Sequence, residues 1–552
     1  MRKQFSRTAA LVLAGAIAAG ALTGCGNGGK SNSGQTQAVS TETGSTDAGT
    51  SETTASVSED AGVHNLEDGV LDIGTGITWD TLTPLRSNIG NNAPFAMAAY
   101  ETLARLTENK EYVPQVAKSW VAEEDGKNFD VEIYDYVTDS AGNAITASDI
   151  VWMIKLQQEA ALKPAFAKVE SVEQTGDYTL RITMKKDMVG AFEAILTNTF
   201  VVSQKAYEES KDQFATEIIS TSPYKVTEFV SGSVLSFEKR DDYWQKPELI
   251  PEETAANVDK LSFHVIKEAS QAGIALETGD IDAFVQLDQN TAVQFVDNPA
   301  FSMEANSYIN GYQLYFSGGD NRNIATDENL RKAICYAIDT DGLIKGVFAG
   351  YGKSMHDPIA DTSVGYLEKW KDEEYYPYDV EKAKELIGQS NYKGEELEFL
   401  ATSSSTIQRV CQMIQGYLLQ VGINVKLNLV DQALYTATRL DGTQYDMTIN
   451  TVGGETLPDH WSIRYDYQAY KTGDATARHD EALGELLYKT WTKEGFTEEN
   501  IDEVHNYLKD HMYAYGMVQP ENIDVWRTDL GITKTVHTNK GSIDFTSCQY
   551  QE

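Results

Sequence analysis

The chain has 552 residues, 41% of them hydrophobic, and carries 83 Asp and Glu against 45 Lys and Arg, a formal net charge of -38. A surface of that sign repels nucleic acid and anionic lipid headgroups, which argues against direct binding to either. The length exceeds one typical domain, so two or three lobes are expected.

The chain opens with the cations Arg2, Lys3 and Arg7 and an apolar run from Ala9 to Ala21. That run is too short to span a bilayer and reads as the apolar part of a secretory signal. Leu22-Thr23-Gly24-Cys25 follows directly. The pattern resembles the lipobox of bacterial lipoproteins, which implies a diacylglyceryl group on Cys25 and cleavage before it. Residues 1–24 are then the signal and residues 25–62 a lipidated cysteine with its tether. The tether is dominated by Ser, Thr and Gly and has no aromatic residue. Such a segment cannot bury enough apolar surface to offset its ordering entropy. As a coil it spans roughly 35 Å. The chain is expected to be anchored to a membrane and not to span it.

Helix and strand patterns alternate through the rest. Ser148 or Asp149 is expected to cap a helix running through Ile154. Leu330, Ala333, Ile334, Ala337 and Ile338 repeat with helical spacing. Asp379 reads as the N-cap of a helix carrying Ala383, Leu386 and Ile387. Ile407, Val410, Cys411, Ile414, Tyr417, Leu418 and Val421 form a further helical stripe that Gly422 stops. Asn424 to Val430 alternates as a half-buried strand, with Val425, Leu427 and Leu429 on one face. The expected class is α/β with mixed sheets. Beyond Cys25 only Cys335, Cys411 and Cys548 remain, an odd number without close spacing. That argues against a disulfide framework or zinc site, and Cys335 and Cys411 read as buried small hydrophobes.

No G-x-S-x-G, H-E-x-x-H, P-loop or C-x-x-C occurs. His505 and His511 are six residues apart and do not share a helix face. No enzymatic activity, cofactor or metal is expected.

Ordered short blocks run from about Leu71 to about Asp529. They are Asp80-Thr81-Leu82-Thr83-Pro84; Tyr100-Glu101-Thr102-Leu103; Val113-Pro114 through Ser119-Trp120; and Glu124-Asp125-Gly126 with Ile145-Thr146-Ala147-Ser148-Asp149. Ser222-Pro223-Tyr224 and Asp242-Tyr243-Trp244 follow, then Ala275-Leu276-Glu277-Thr278-Gly279-Asp280-Ile281-Asp282. The last are Leu330-Arg331-Lys332-Ala333 with Ala337-Ile338-Asp339, Tyr378-Asp379 with Ala383 to Ile387, and Gly422-Ile423-Asn424-Val425. In this order they resemble the extracytoplasmic solute-binding proteins of ABC importers, the family of oligopeptide-, dipeptide- and nickel-binding proteins. The resemblance implies a two-lobed clam of the periplasmic-binding-protein type II class, with mixed sheets and a hinge, in its large three-domain variety. Lobe I would comprise residues 63–285 plus 515–552, with a small extra domain at about 94–217. Lobe II would comprise residues 286–514. The implied function is a lipid-anchored, monomeric receptor that captures short peptides between its lobes. It would deliver them to an ABC permease and its ATPase subunits at the outer face of a Gram-positive cell membrane. An oligosaccharide or other small solute, or a sensing role, is the alternative.

In peptide-binding relatives an acid after a Trp-x-x element takes the ligand's α-ammonium group. Here Val452 replaces that Trp, and Glu455 and Asp459 are the two candidate acids. The arginine that dipeptide receptors use for the ligand carboxylate has no counterpart in the stretch Thr402 to Thr406. A hydroxyl there, such as Ser404, suits a polar uncharged contact, and Arg439 is a substitute cation. Trp79, Tyr312, Tyr315 and Trp461 lie near expected cleft segments, where aromatic faces suit a ligand or, equally, a core.

Overall fold

The computed structural model describes residues 66, 69–85, 95–107, 109–307, 311–319, 321–452, 456–466, 480–538 and 541–551. The signal, Cys25, the tether and Glu455 lie outside these residues.

The first half-sheet is built around Leu71–Thr75, whose residues are nearly all buried. It pairs in parallel with Lys260–Val265 and with Ala283–Leu287. Strands covered on both faces read as continuous apolar runs, as Ala283–Leu287 nearly does, while Lys260–Val265 alternates. Gly74 is required by close approach: a Cβ there would lie 2.4 Å from the Phe284 ring. Val234–Lys239 and Tyr224–Val230 extend the sheet antiparallel. Its apolar layer holds Leu71, Ile73, Trp79, Phe95, Phe237 and Phe263.

The second half-sheet runs in the order Asn424–Val430, Glu396–Thr402, Met447–Val452, Gly311–Phe316. Helices Glu328–Ala337, Thr340–Val347 and Ser405–Gln420 bury Leu330, Ile334, Leu343, Val410 and Ile414 against one of its faces. Asp379 caps Val380–Gln389 by accepting from Lys382 N at 2.8 Å. Gly422 ends its helix at φ 86°, a left-handed conformation that suits glycine. Cys335, Cys411 and Cys548 are free and buried.

One strand, Ala514–Arg527, joins both halves into a 12-stranded sheet. Its first part pairs with Gly311–Phe316 and its second with Ala283–Leu287 and Phe301–Ser307. Where the chain leaves the first half, Gln286 takes φ 59°. Asp524 fixes that bend by accepting from Gln286 N at 2.8 Å and, on its other oxygen, from Ile543 N at 2.6 Å. Burial pushes the Asp524 carboxyl up to about 7.

A separate four-stranded antiparallel sheet, Ala117–Ala122, Asn128–Ile133, Thr179–Met184 and Val169–Gly176, forms a small domain with helix Ala147–Ala160. This helix corrects the expected cap. Thr146 is the N-cap, and Asp149 is the third helical residue, reaching back to Thr146 N at 2.9 Å. The hydroxyl and the acid three residues on form a reciprocal capping box, which a single-residue search misses. His505 pairs with buried Asp357 under Trp370, and His511 pairs with Glu328, so the two histidines serve different contacts.

Candidate functional site

The small domain meets the second lobe along a seam at helix Leu457–Tyr465 and Trp491. The small domain contributes cations to it. Lys168, at the end of the 3-10 turn Pro164–Lys168, forms an ion pair with Asp459 on helix Leu457–Tyr465 of the second lobe. Burial lowers the Lys168 ammonium to about 8. Val189 N donates to Trp491 O at 2.7 Å, and Lys186 lies 4.3 Å over the Trp491 ring. Gly190, at φ 86°, approaches Thr456 so closely that a Cβ would meet its side chain at 2.6 Å. Lys110 donates to the carbonyls of Asp361 and Ser363 at 3.2 and 3.4 Å.

Beside the shared strand, a cavity of about 350 Å³ is lined by Lys267 and Phe284, by Gln286 and Asp288 at the bend between the half-sheets, and by Tyr312, Phe348 and Thr406. Its size falls in the range of small-molecule sites. Arg409, on the helix that begins after Ser404, pairs with Asp288, just past the bend, at 3.4 Å.

The candidate residues divide. Asp459 is engaged by Lys168, so in this arrangement it joins two parts of the protein. Ser404 is exposed at the N-cap of Ser405–Gln420 and makes no side-chain cap bond, while Thr406 of the same hydroxyl run lines the cavity. Trp79 packs edge-on against Phe95 at 4.8 Å within the first-lobe core. Tyr315 and Trp461 are buried together with Trp370, Leu457 and Tyr465. The Tyr315 hydroxyl donates to Gln313 Oε1 at 2.5 Å, and the Arg464 guanidinium stands 5.4 Å over its ring. Arg439 ends helix Gln432–Arg439, half-buried, on the same side of the sheet as Tyr435 and Tyr445.

Arg464, Gln313, Lys168 and Lys110 escaped the sequence reading. Arg464 follows His460 by one helical turn, a spacing that places both on one helix face. No local signal marks Lys168, because its partner is nearly three hundred residues away.

The model for bacterial extracellular solute-binding proteins, family 5 Middle, matches residues 111–474, about two thirds of the chain. The chain belongs to this family. Its members are extracytoplasmic binding proteins of ABC transporters and not enzymes. Among curated relatives, the glutathione-binding protein GsiB of Pectobacterium atrosepticum is 24% identical over 374 residues, covering 65% of this chain and 69% of that one. Among solved structures, DppA from Helicobacter pylori in complex with peptide STSA is 20% identical with a TM-score of 0.72, over 88% of this chain and 98% of that one. AppA from Bacillus subtilis in complex with a nonapeptide is 17% identical with a TM-score of 0.69, over 86% and 96%. For this family-5 chain the neighbours establish the fold of a type II two-lobed binding protein. Among the described residues no helix is long and apolar enough to cross a membrane.

Proposed function

We propose that this protein is the lipid-anchored receptor of an ABC importer and captures short peptides between its two lobes for delivery to the permease. Family membership is the observation that carries the reading. Peptide as ligand is supported by relatives whose names or complexes specify glutathione, a tetrapeptide and a nonapeptide. The anchor is supported by the lipobox pattern at Cys25. Because Lys168 engages Asp459, Glu455 is the acid we assign to the ligand's ammonium group. An ammonium taken out of water needs such a partner.

Closure is driven by the ligand's higher affinity for the closed arrangement. The shared strand and the bend at Gln286 are where the two half-sheets rotate against each other. The test is a melting-temperature screen of purified protein against peptides of two to nine residues and a panel of oligosaccharides. A rise with peptides supports the reading. A rise with an oligosaccharide alone replaces it. Cys25→Ala is expected to release the protein from the membrane, or leave its signal uncleaved, with ligand affinity unchanged.

A further inference from the structure

We propose that the seam between the small domain and the second lobe holds a second binding site, for a small oxyanion such as phosphate, and that an anion bound there draws the two parts together. The inference does not depend on which solute fills the main cleft.

A cavity of about 200 Å³ lies in this seam. It is smaller than the roughly 300–1,000 Å³ of a drug-sized ligand site and suits a small ion. The small domain lines it with Lys168, Lys185 and Lys186, and the second lobe with Ser462, Asp466 and Trp491. The lysines converge because of the sheet. Val169 and Met184 are register partners on adjacent strands, and just beyond them Lys185 N donates to Lys168 O at 2.9 Å. The ladder therefore sets Lys168 and Lys185 side by side at one end of the sheet, with Lys186 next in the chain. Like charges set opposite each other on a sheet repel. Lys168 has its counter-ion in Asp459. The Lys185 ammonium donates to Ala167 O at 2.7 Å, and that of Lys186 stands 4.3 Å over the Trp491 ring. Among the described residues neither has a carboxylate partner. The acid in the lining, Asp466, accepts from Tyr488 OH at 2.8 Å.

The second lobe adds an orphaned donor. Trp491 is buried, and its Nε1 has no acceptor in the protein. Buried polar atoms in native proteins are nearly always satisfied, so this one asks for an acceptor. An indole N–H donates and cannot accept, and the same holds for an ammonium group. Trp491, Lys185 and Lys186 thus bring donors from both sides of the seam to one cavity. The group that answers them carries acceptor oxygens and negative charge, as phosphate does. Lysines without counter-ions also stand out in a chain of net charge -38. Trp491 is held against the small domain through its carbonyl, which accepts from Val189 N at 2.7 Å. An anion that needs donors from both sides binds the joined arrangement better than the separated one, and so shifts the balance toward it.

The experiment titrates the purified full chain with sodium phosphate by calorimetry, at constant ionic strength because salt screens exposed ammonium groups. Wild type is expected to bind phosphate with a Kd of about 1 mM or tighter. The double variant K185Q/K186Q is expected to weaken binding about tenfold or more, and W491F by a smaller factor. K382Q/K384Q removes two ammonium groups from another face, where each pairs with a glutamate, and is expected to leave binding unchanged. Dyes on the small domain and the second lobe then report the joined fraction by energy transfer. Phosphate at about ten times its Kd is expected to raise the ratio of joined to separated molecules about tenfold. Failure of wild type to bind phosphate overturns the inference. Undiminished binding by K185Q/K186Q also overturns it, and both side chains are exposed, so their exchange leaves the fold intact. Equal weakening in K382Q/K384Q marks a general charge effect and overturns it as well. Binding that leaves the joined ratio unchanged overturns the drawing together of the two parts.

Discussion

Asp459→Asn removes one charge from the seam and leaves Lys168 facing an amide. Both side chains of the pair are about three quarters buried, at 23% relative exposure each. A fully exposed pair contributes at most about 1 kcal/mol, and breaking a fully buried one costs about 3–5 kcal/mol. The intermediate burial places this pair at about 1–2 kcal/mol of preference for the joined arrangement, a factor of roughly 5–30 in the population ratio. Dyes on Glu159→Cys in the small domain and Lys489→Cys in the second lobe, on a Cys25→Ser background, report that ratio by single-molecule energy transfer. Cys335, Cys411 and Cys548 are buried and do not compete for label. The variant is expected to spend five- to thirty-fold more time separated without ligand, and to bind ligand correspondingly more weakly. Lys168→Met is expected to do the same, because it strands Asp459 at the same degree of burial. Unchanged populations in both variants would show that the ion pair does not hold the seam.

Two further outcomes test the fold beneath the site. Burial raises the Glu101 carboxyl from 4.5 to about 7, despite hydrogen bonds from Tyr243 OH at 2.6 Å and Trp244 Nε1 at 2.9 Å. The folded state therefore holds this proton longer than the unfolded chain, and its share of stability falls by about 3 kcal/mol as pH rises from 4.5 to 7. In denaturant titrations wild type should lose about 3 kcal/mol relative to Glu101→Gln over that interval, and a pH-independent difference refutes the shift. Gly74→Val drives a side chain into the Phe284 ring and should destabilise the first lobe by about 1–3 kcal/mol or more, read as a lower melting temperature.

Local grammar was readable where it is local. Asp379 caps, Gly422 stops and Cys335 and Cys411 bury as their spacing implies, because each effect acts within one helical turn. The cap at Thr146 was missed because two residues share it. The family blocks revealed the two-lobed fold, since they mark turns and packing positions. They said little of the site. Trp79, Tyr315 and Trp461 were open between ligand face and core, and the structure buries all three. Arg464 reaches the Tyr315 ring only through the packing of its helix on the sheet, and Lys168 meets Asp459 only through the docking of a separate domain. Neither relation leaves a trace in spacing.

The strand Ala514–Arg527 has a consequence for how this molecule is made. It is the last long strand to be synthesised, yet it lies at the centre of the sheet order, paired on both sides. Neither half-sheet can be completed until nearly the whole chain has emerged. Pairings over such sequence distances form slowly. An extracytoplasmic protein gains from that delay, because a chain that cannot finish folding early stays threadable through a secretion channel and locks only on the far side.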